Sequence, residues 1–584
     1  MENKEGKLYK AIDCVAQSGH LVLMIVAFDV IMTSILLLLH ISVSSLNIVI
    51  GFAMASIMYM HMHKEEDGIN RKFVIIVTCS IIIVSIMINY LIQEISYDGN
   101  WYHKLATGCL KMGWNPVYEN INDYISVLGI PADRMRRIDI WAGCYAKASW
   151  YFDATIYALT NSIEAAKTFN ILIFVSVFGV CYDYFRVKIN KMHALLLGLI
   201  FTGIPVSYAQ LFTYYLDGAL GQLLVASVII LMSISDEQYS HTLKKRQLFY
   251  LALCIILCGN LKFTGLVYEA AFCGVFFIYW CVKKRAVIVK LIAYYIFVVS
   301  MTVLIVGAGT YVANAINYDN PVYPIGSEFF NPVAWHSLES VGLEDASSLR
   351  QLMTMLFVRV SGSGDNKNPV LEWKIPFTFH PIEFIKCTND NLRGGGGVFY
   401  SGILCVSIAL FIFMFYKLRK TRRTELTVVV IIVAVSVLLM TIIPAGGVAR
   451  YSPYIYFLPY FTMFLLLLYI RDNAGSSHGN SYRTRINGKL VSFVTYFLAC
   501  IMLINSLAFS EYILRGIVLS YNYTQEYKKM KYANYVKIDT ELVGMVFNFI
   551  DKEISYEFET ENIMPDGEMV YVGLKYEIVD KVYD

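Results

Sequence analysis

Apolar residues in this chain do not alternate with polar ones; they run in long blocks divided by short polar loops. A helix needs about 20 apolar residues to cross a hydrocarbon core of about 30 Å, and blocks of that order recur over most of the sequence. They predict spans at His20–His40, Leu46–His61, Phe73–Gln93, Ala166–Tyr182, Met192–Ala209, Asp217–Ser233 and Gln247–Asn260. Further spans follow at Thr264–Val282, Ala286–Ala308, Val398–Tyr416, Glu425–Ile443, Pro453–Ile470 and Leu490–Phe509. The fold class is therefore an all-α polytopic membrane bundle of about thirteen helices. Gln247–Val282 is the instructive stretch: as one helix it would be about 54 Å long at about 1.5 Å per residue, too long for one crossing. Basic residues flank both of its ends, so two crossings are expected, with Gly259–Gly265 as the turn between them.

The polar positions set the orientation. Lys4, Lys7 and Lys10 precede the first span, and Lys64, Arg71 and Lys72 follow the second. Later loops carry Arg186, Lys188 and Lys191, then Lys244, Lys245 and Arg246, then Lys283, Lys284, Arg285 and Lys290. Two more clusters are Lys417 to Arg423 and Arg471 to Lys489. If the helices alternate, every cluster falls on one side, which the positive-inside tendency makes cytoplasmic. The N-terminus is then expected inside and the C-terminus outside.

This divides the chain into an N-terminal segment with two helices (1–72), a helical module (73–309) with an outer loop at 94–165, a second outer loop (310–397), C-terminal helices (398–509) and an outer tail (510–584). The tail reads as an amphipathic helix near Gln525–Ile550 and a strand at Glu568–Val579, a small α/β appendage.

Composition sharpens the class. Of 584 residues 57% are hydrophobic and only 16% charged, against about 25% charged in soluble domains. The net charge of +3 says nothing about nucleic acid, and no basic domain or stripe stands apart from the loops, so no nucleic-acid partner is expected. The first apolar run is longer than a signal-peptide core and lacks a small-residue cleavage site, so it reads as a retained helix. Most of the 12 cysteines fall inside apolar runs; only Cys109, Cys144 and Cys387 fall in expected outer loops, without metal-ligand spacing. A Cys109–Cys144 disulfide competes with the plainer reading of inert thiols, which is favoured.

Candidate chemistry clusters at outer helix ends. Asp98 follows an apolar run directly, in Tyr97-Asp98-Gly99-Asn100-Trp101-Tyr102-His103. It lies at headgroup depth, where a carboxylate beside an acceptor hydroxyl can serve as general base; the plainer alternative is a solvated interfacial aspartate. Asp217 opens a span and could simply cap it, with Gln210 and Tyr214 nearby as candidate sugar contacts. Lys262 and Arg450 are cations kept at outer helix ends against the positive-inside tendency, which makes them candidates for phosphate binding. Arg393 precedes Gly394–Gly397, where backbone N–H groups could form an anion nest or merely a flexible elbow. His336 and His380 are lone loop histidines, and no P-loop, dinucleotide, nucleophile-elbow or zinc motif occurs.

The order of these parts resembles the GT-C class of membrane glycosyltransferases, which use polyprenyl-phosphate-linked sugars. Tyr97–His103 is similar to the acidic motif that opens the first outer loop there, in its Asp-x-x-x-Tyr-His form. Phe73–Ala308 then corresponds to the class's seven-helix module. Gly259–Gly265 resembles a Gly-x-x-Lys-φ-[Ser/Thr]-Gly pattern, Asn320-Pro321-Val322-Tyr323-Pro324 a Gly-Asn-Pro-φ-Tyr-Pro motif, and Ala449-Arg450-Tyr451 an Ala-Arg-Tyr element. The likeness runs from Phe73 to about Ile470. Two helices precede the module, Asp319 stands where Gly is usual, and Gly99 stands where many members carry a second acid. Without that acid pair no cofactor is expected; a divalent ion prefers several oxygen ligands, and only Glu94, Asp123 or Asp153 could supply another.

The resemblance implies an integral, multi-pass enzyme, expected in a bacterial cell membrane. It would move a sugar from a polyprenyl-phosphate carrier to a glycan, lipid or protein acceptor, with inversion. Asp98 would be the base, Lys262 and Arg450 would meet the leaving phosphate, and Tyr102, His103, Asp217, Asn320 and Arg393 would bind or position substrate. A polysaccharide polymerase or ligase would carry its key arginines in a late outer loop. A transporter would place charged or broken helices at mid-membrane, where this chain has few.

Overall fold

The computed structural model describes residues 4–64, 70–135, 137–238, 240–283, 287–327, 346–360, 372–389, 394–442, 449–474, 482–559 and 565–579. Among them, eleven helices are long and apolar enough to cross a membrane. The two other expected spans exist in altered form. Met192–Ala209 is broken into Lys191–Thr202 and Pro205–Ala209, because Gly203 ends the first piece and Pro205 cannot continue a helix that lacks its N–H. His241–Leu261 is continuous, but its first turns carry Lys244, Lys245 and Arg246 and so are too polar to count as apolar span.

The central helices are the most deeply enclosed. Lys4–Leu38 packs along Phe169–Lys188, and a Cβ on Gly179 would collide with the Ala16 carbonyl. Only glycines allow two backbones to approach so closely. Asp217–Ser235 is buried along almost its whole length, between Phe169–Lys188 and His241–Leu261. The outer ring, exemplified by Arg71–Leu91 and Ile288–Ser300, turns exposed Ile, Val and Phe outward, the surface a lipid-facing helix requires.

The basic loops meet at one end of the bundle. Lys188 pairs with Asp236 and Glu425, Lys191 with Asp13 at 2.7 Å, and Arg422 grips Asp472 through two bonds at 2.7 and 2.9 Å. Arg471 donates to the Lys188 carbonyl. The turn between His241–Leu261 and Phe263–Lys283 consists of Lys262 alone, in extended conformation.

The last long helix, Tyr482–Leu507, gives way after a short break to Ser510–Lys531. Beyond it lies a small α/β unit with strands β1 (Tyr535–Asp539), β2 (Tyr556–Phe558), β3 (Gly567–Met569) and β4 (Leu574–Val579). Their order is β2-β1-β4-β3; β1 and β2 run parallel, and the other pairs are antiparallel. The single helix expected near Gln525–Ile550 is corrected: it ends at Lys531, β1 intervenes, and a short helix follows at Val546–Asp551. Val536 and Ile538 bury alternate β1 side chains, a period-two pattern hidden inside an otherwise amphipathic stretch. Cys109, Cys144 and Cys387 are buried free thiols.

Candidate active site

Asp98 is presented by a bend. The helix Arg71–Leu91 stops, Ile92 is extended, and the chain re-enters helical form through a π-helical turn, Gly99–His103, that runs into Lys104–Lys111. Buried hydrogen bonds fix the bend: Asn100 Nδ2 donates to the carbonyls of Glu94 (2.9 Å) and Ser96 (3.2 Å). The Glu94 carboxylate accepts from the Ser96 and Tyr214 N–H groups, both at 2.7 Å. A Cβ on Gly99 would meet Ser96 Oγ and lie 2.6 Å from Glu94 Cδ, so this position demands glycine on steric grounds. Burial raises the Glu94 carboxyl, against the pull of Lys167 and Lys104. Asp98 itself stays partly exposed, between an exposed Tyr97 and the buried Gly99 and Asn100.

Behind Asp98 stands an aromatic wall. Tyr102 stacks on Trp141 at 5.9 Å and lies 4.2 Å from the His103 ring; Trp141 in turn meets Tyr145 at 5.5 Å. Burial raises the Tyr102 and Tyr145 hydroxyls well above their ordinary range, and both Asp98 and Asp217 add to the effect while Arg450 opposes it. The two carboxylates and the guanidinium therefore face the same two phenols, which remain neutral donors. His103 Nδ1 accepts from the Trp150 indole at 2.7 Å. Burial, with the Lys262 charge behind it, pushes His103 down to about 3, so it is a neutral ring near pH 7. Lys147 is buried in the same loop and donates to the Gly143 and Tyr145 carbonyls, each at 2.7 Å.

Asp217, Lys262 and Arg450 come together, though they are far apart in sequence. Lys262 Nζ donates to Asp217 Oδ1, and Arg450 Nε lies 4.0 Å from Asp217 Oδ2. Lys262 sits 4.4 Å from the Tyr451 ring centre; the Arg450 guanidinium lies 4.6 Å from Tyr451 and 5.4 Å from Tyr215. Two cations share one carboxylate, all three largely buried, at the entrance of the Asp217–Ser235 helix. Asp217 is not the cap: Leu216 stands at the cap position without a side-chain cap bond, Asp217 is the first helical residue, and Gly218 N–H goes to Gln210 Oε1 at 2.6 Å. The carboxylate is turned to the cations because an unpaired charge costs more there than a missing cap.

Other expected residues lie elsewhere or have different work. Gln210 is committed to Gly218 and the Asn389 carbonyl, and Tyr214 donates to the Ile163 carbonyl, so both shape the fold rather than a sugar pocket. The Asn320 amide closes its own turn, donating to the Ile325 carbonyl at 2.8 Å and accepting from Val322 N–H at 3.1 Å. Arg393 and His336 lie outside the described residues. The glycines after Arg393 form a packed elbow: Gly394 and Gly397 take positive φ, and the Gly396 carbonyl accepts from Asn505 at 3.0 Å. His380 belongs to a local turn with Glu383. Of the three acids considered beside Asp98, Glu94 packs against Gly99, Asp123 is exposed, and Asp153 is buried near Asp29. Among the described residues no group of three or more His, Cys, Asp or Glu side chains is arranged to hold a metal ion.

Sequence reasoning missed Tyr145, Trp141 and Trp150, which are ordinary aromatics of an aromatic-rich loop until the fold gathers them. It also missed a buried network below the bend, in which Glu164 accepts from Lys104 (2.6 Å), Lys167 (2.5 Å) and Asn548 (2.7 Å). Lone charges in a loop carry no mark of burial.

No protein-family model matches the chain, and no curated protein matches it. Among solved structures it is similar to ArnT from Cupriavidus metallidurans in the apo state, at 10% identity over 85% of this chain and 87% of that one, with a TM-score of 0.40. The same protein bound to undecaprenyl phosphate matches at 12% identity over 81% and 77%, with a TM-score of 0.36. The archaeal oligosaccharyltransferase AglB from Archaeoglobus fulgidus, in complex with an inhibitory peptide and a dolichol-phosphate, matches at 10% identity over 74% and 55%, with a TM-score of 0.37.

Proposed function

We propose that this chain is an integral-membrane glycosyltransferase of the GT-C type, transferring a sugar from a polyprenyl-phosphate carrier to an extracytoplasmic acceptor hydroxyl. What supports the reading is one juxtaposition: a partly exposed carboxylate, Asp98, and the Asp217–Lys262–Arg450 cluster bear on the same two buried phenols, Tyr102 and Tyr145, at the end of the bundle away from the basic loops. Asp98 takes the proton of the acceptor hydroxyl as its oxygen attacks the anomeric carbon. The bond from that carbon to the phosphate oxygen breaks on the opposite face, which inverts the centre. Charge then builds on the departing lipid phosphate, where Lys262 and Arg450 stabilise it; such preset electrostatics are usually the largest catalytic contribution.

Asp217 has a defined part in this scheme. It neutralises one of the two cations while no donor is bound, and it keeps both aimed at one spot. With one carboxylate against two cations, the cluster retains a net positive charge for an anionic ligand. Tyr102 and Tyr145, neutral at all working pH values, can donate hydrogen bonds to sugar hydroxyls. His103 is held neutral and acts by position.

The test is transfer by purified protein in nanodiscs, with radiolabelled polyprenyl-phosphate sugar and a panel of glycan, lipid and peptide acceptors. Release of polyprenyl phosphate together with labelled acceptor is the expected result. Equal transfer from a nucleotide sugar without any lipid carrier would overturn the reading.

A further inference from the structure

The C-terminal α/β unit does not stand apart from the candidate site. Its segment Val543–Asp551 is pressed against the bend that carries Asp98. Gly544 sits directly on the π-helical turn: a Cβ there would lie 2.6 Å from the Asn100 carbonyl oxygen, 3.0 Å from that of Trp101 and 3.0 Å from Lys104 Cβ. Phe547 fills the space above Gly108, where a side chain would enter its ring. Asn548 is 1% exposed and completes the network beneath the bend: Oδ1 accepts from Lys104 Nζ at 2.7 Å and Nδ2 donates to Glu164 Oε1 at 2.7 Å. Asp551 closes the far end, accepting from Tyr157 OH at 2.5 Å and from Ile163 N–H at 2.6 Å.

These contacts bear on the site for a mechanical reason. The turn Gly99–His103 is π-helical, a form that appears mostly as single turns within α-helices and is frequent at functional sites, and Gly544 packs directly on it. Lys104, the first residue beyond it, is anchored at once by the first outer loop through Glu164 and by the C-terminal unit through Asn548. Gly544 touches the two carbonyls that immediately follow Asp98 and Gly99. A general base must be held within hydrogen-bond reach of its proton, and a displacement of about 1 Å can cost about 10²-fold.

We infer that the segment Val543–Asp551 is a positioning element for Asp98, with Gly544 and Asn548 as its positioning residues. The inference rests on the reading of Asp98 as the base. It makes the C-terminal unit part of the catalytic apparatus through the residues that carry the base. The phosphate-binding cations belong to other elements, so donor affinity is independent of the brace.

The experiment uses the full chain in nanodiscs and measures kcat and the donor KM for Asn548→Ala and Gly544→Ala, each alone and combined with Asp98→Asn. Gly516→Ala is the control, since a Cβ there meets Ile95 at an ordinary 3.6 Å. A positioning role lowers kcat by about ten- to a hundredfold, leaves the donor KM within about twofold, and has no further effect once Asp98 is already Asn. The two substitutions perturb the same bend at different contacts, Asn548→Ala by loss of the amide that holds Lys104 and Glu164 and Gly544→Ala by a methyl against the Asn100 and Trp101 carbonyls, so either one answers if the other fails to fold. Unchanged kcat in both, with Asp98→Asn impaired, overturns the inference; so does an equal loss with and without Asp98, which would mark a general structural effect. Near-normal turnover by Asp98→Asn alone would instead overturn the assignment of the base.

Discussion

Replacing Asp217 by Asn separates the two roles considered for it. A helix cap tolerates the change, because Asn and Asp cap about equally well. An ion-pair partner does not. The Asp217 side chain is 4% exposed, facing Lys262 at 15% and Arg450 at 11%. Removing one member of a fully buried pair costs about 3–5 kcal/mol, because the remaining charge is stranded. Since both cations keep some access to water, about 2–4 kcal/mol is expected for Asp217→Asn. The same change frees both cations for an outside anion. Thermal unfolding in nanodiscs should therefore show a less stable unliganded protein, and polyprenyl phosphate should raise its midpoint by more than it does for the wild type. A variant within about 0.5 kcal/mol of wild type, the range of an ordinary surface change, with no larger response to polyprenyl phosphate would refute the ion-pair reasoning.

His103 gives a pH signature. Its folded value is about 3 against about 6.5 unfolded, so below pH 6.5 the unfolded chain binds a proton that the folded one refuses, and stability falls with pH. The loss at pH 5 relative to pH 7.5 is about 2 kcal/mol; thermal unfolding across that range should show it, and His103→Gln, which still accepts from Trp150, should remove it. Gly99→Ala forces a methyl onto Ser96 and Glu94 and should lower turnover at least about tenfold while donor binding survives; normal turnover would show that the bend has slack. Lys262→Ala and Arg450→Ala should each weaken donor binding and turnover together, measured as KM and kcat for the lipid-linked sugar. A change in neither would remove the phosphate role.

The sequence made the ends of the bundle readable because charge is costly in an apolar run. Asp98, Lys262 and Arg450 stand out for that reason, and the fold brings Lys262 and Arg450 together at Asp217. Pairing was another matter. Asp217 meets a lysine 45 positions away, and the local signal for a cap, an aspartate at a helix start, is identical whether or not that lysine is there. The brace was less legible still: Lys104 and Asn548 are 444 positions apart, and nothing about an asparagine in a polar tail announces burial. Period explains the remaining differences. A proline divides Met192–Ala209 without changing its hydropathy, and the five residues of β1 hide inside a stretch whose overall pattern is helical.

The central claim is that Asp98 removes the acceptor's proton. Asp98→Asn keeps the shape and most hydrogen bonding of the side chain and discards only its basicity. The decisive measurement is single-turnover transfer from the lipid-linked donor in nanodiscs, wild type against Asp98→Asn, with donor binding and monodispersity measured on the same samples. General base catalysis contributes about 10²–10⁴-fold, so a loss of that size is expected with donor binding intact. Transfer by Asp98→Asn within about threefold of wild type, far short of that range, would contradict it.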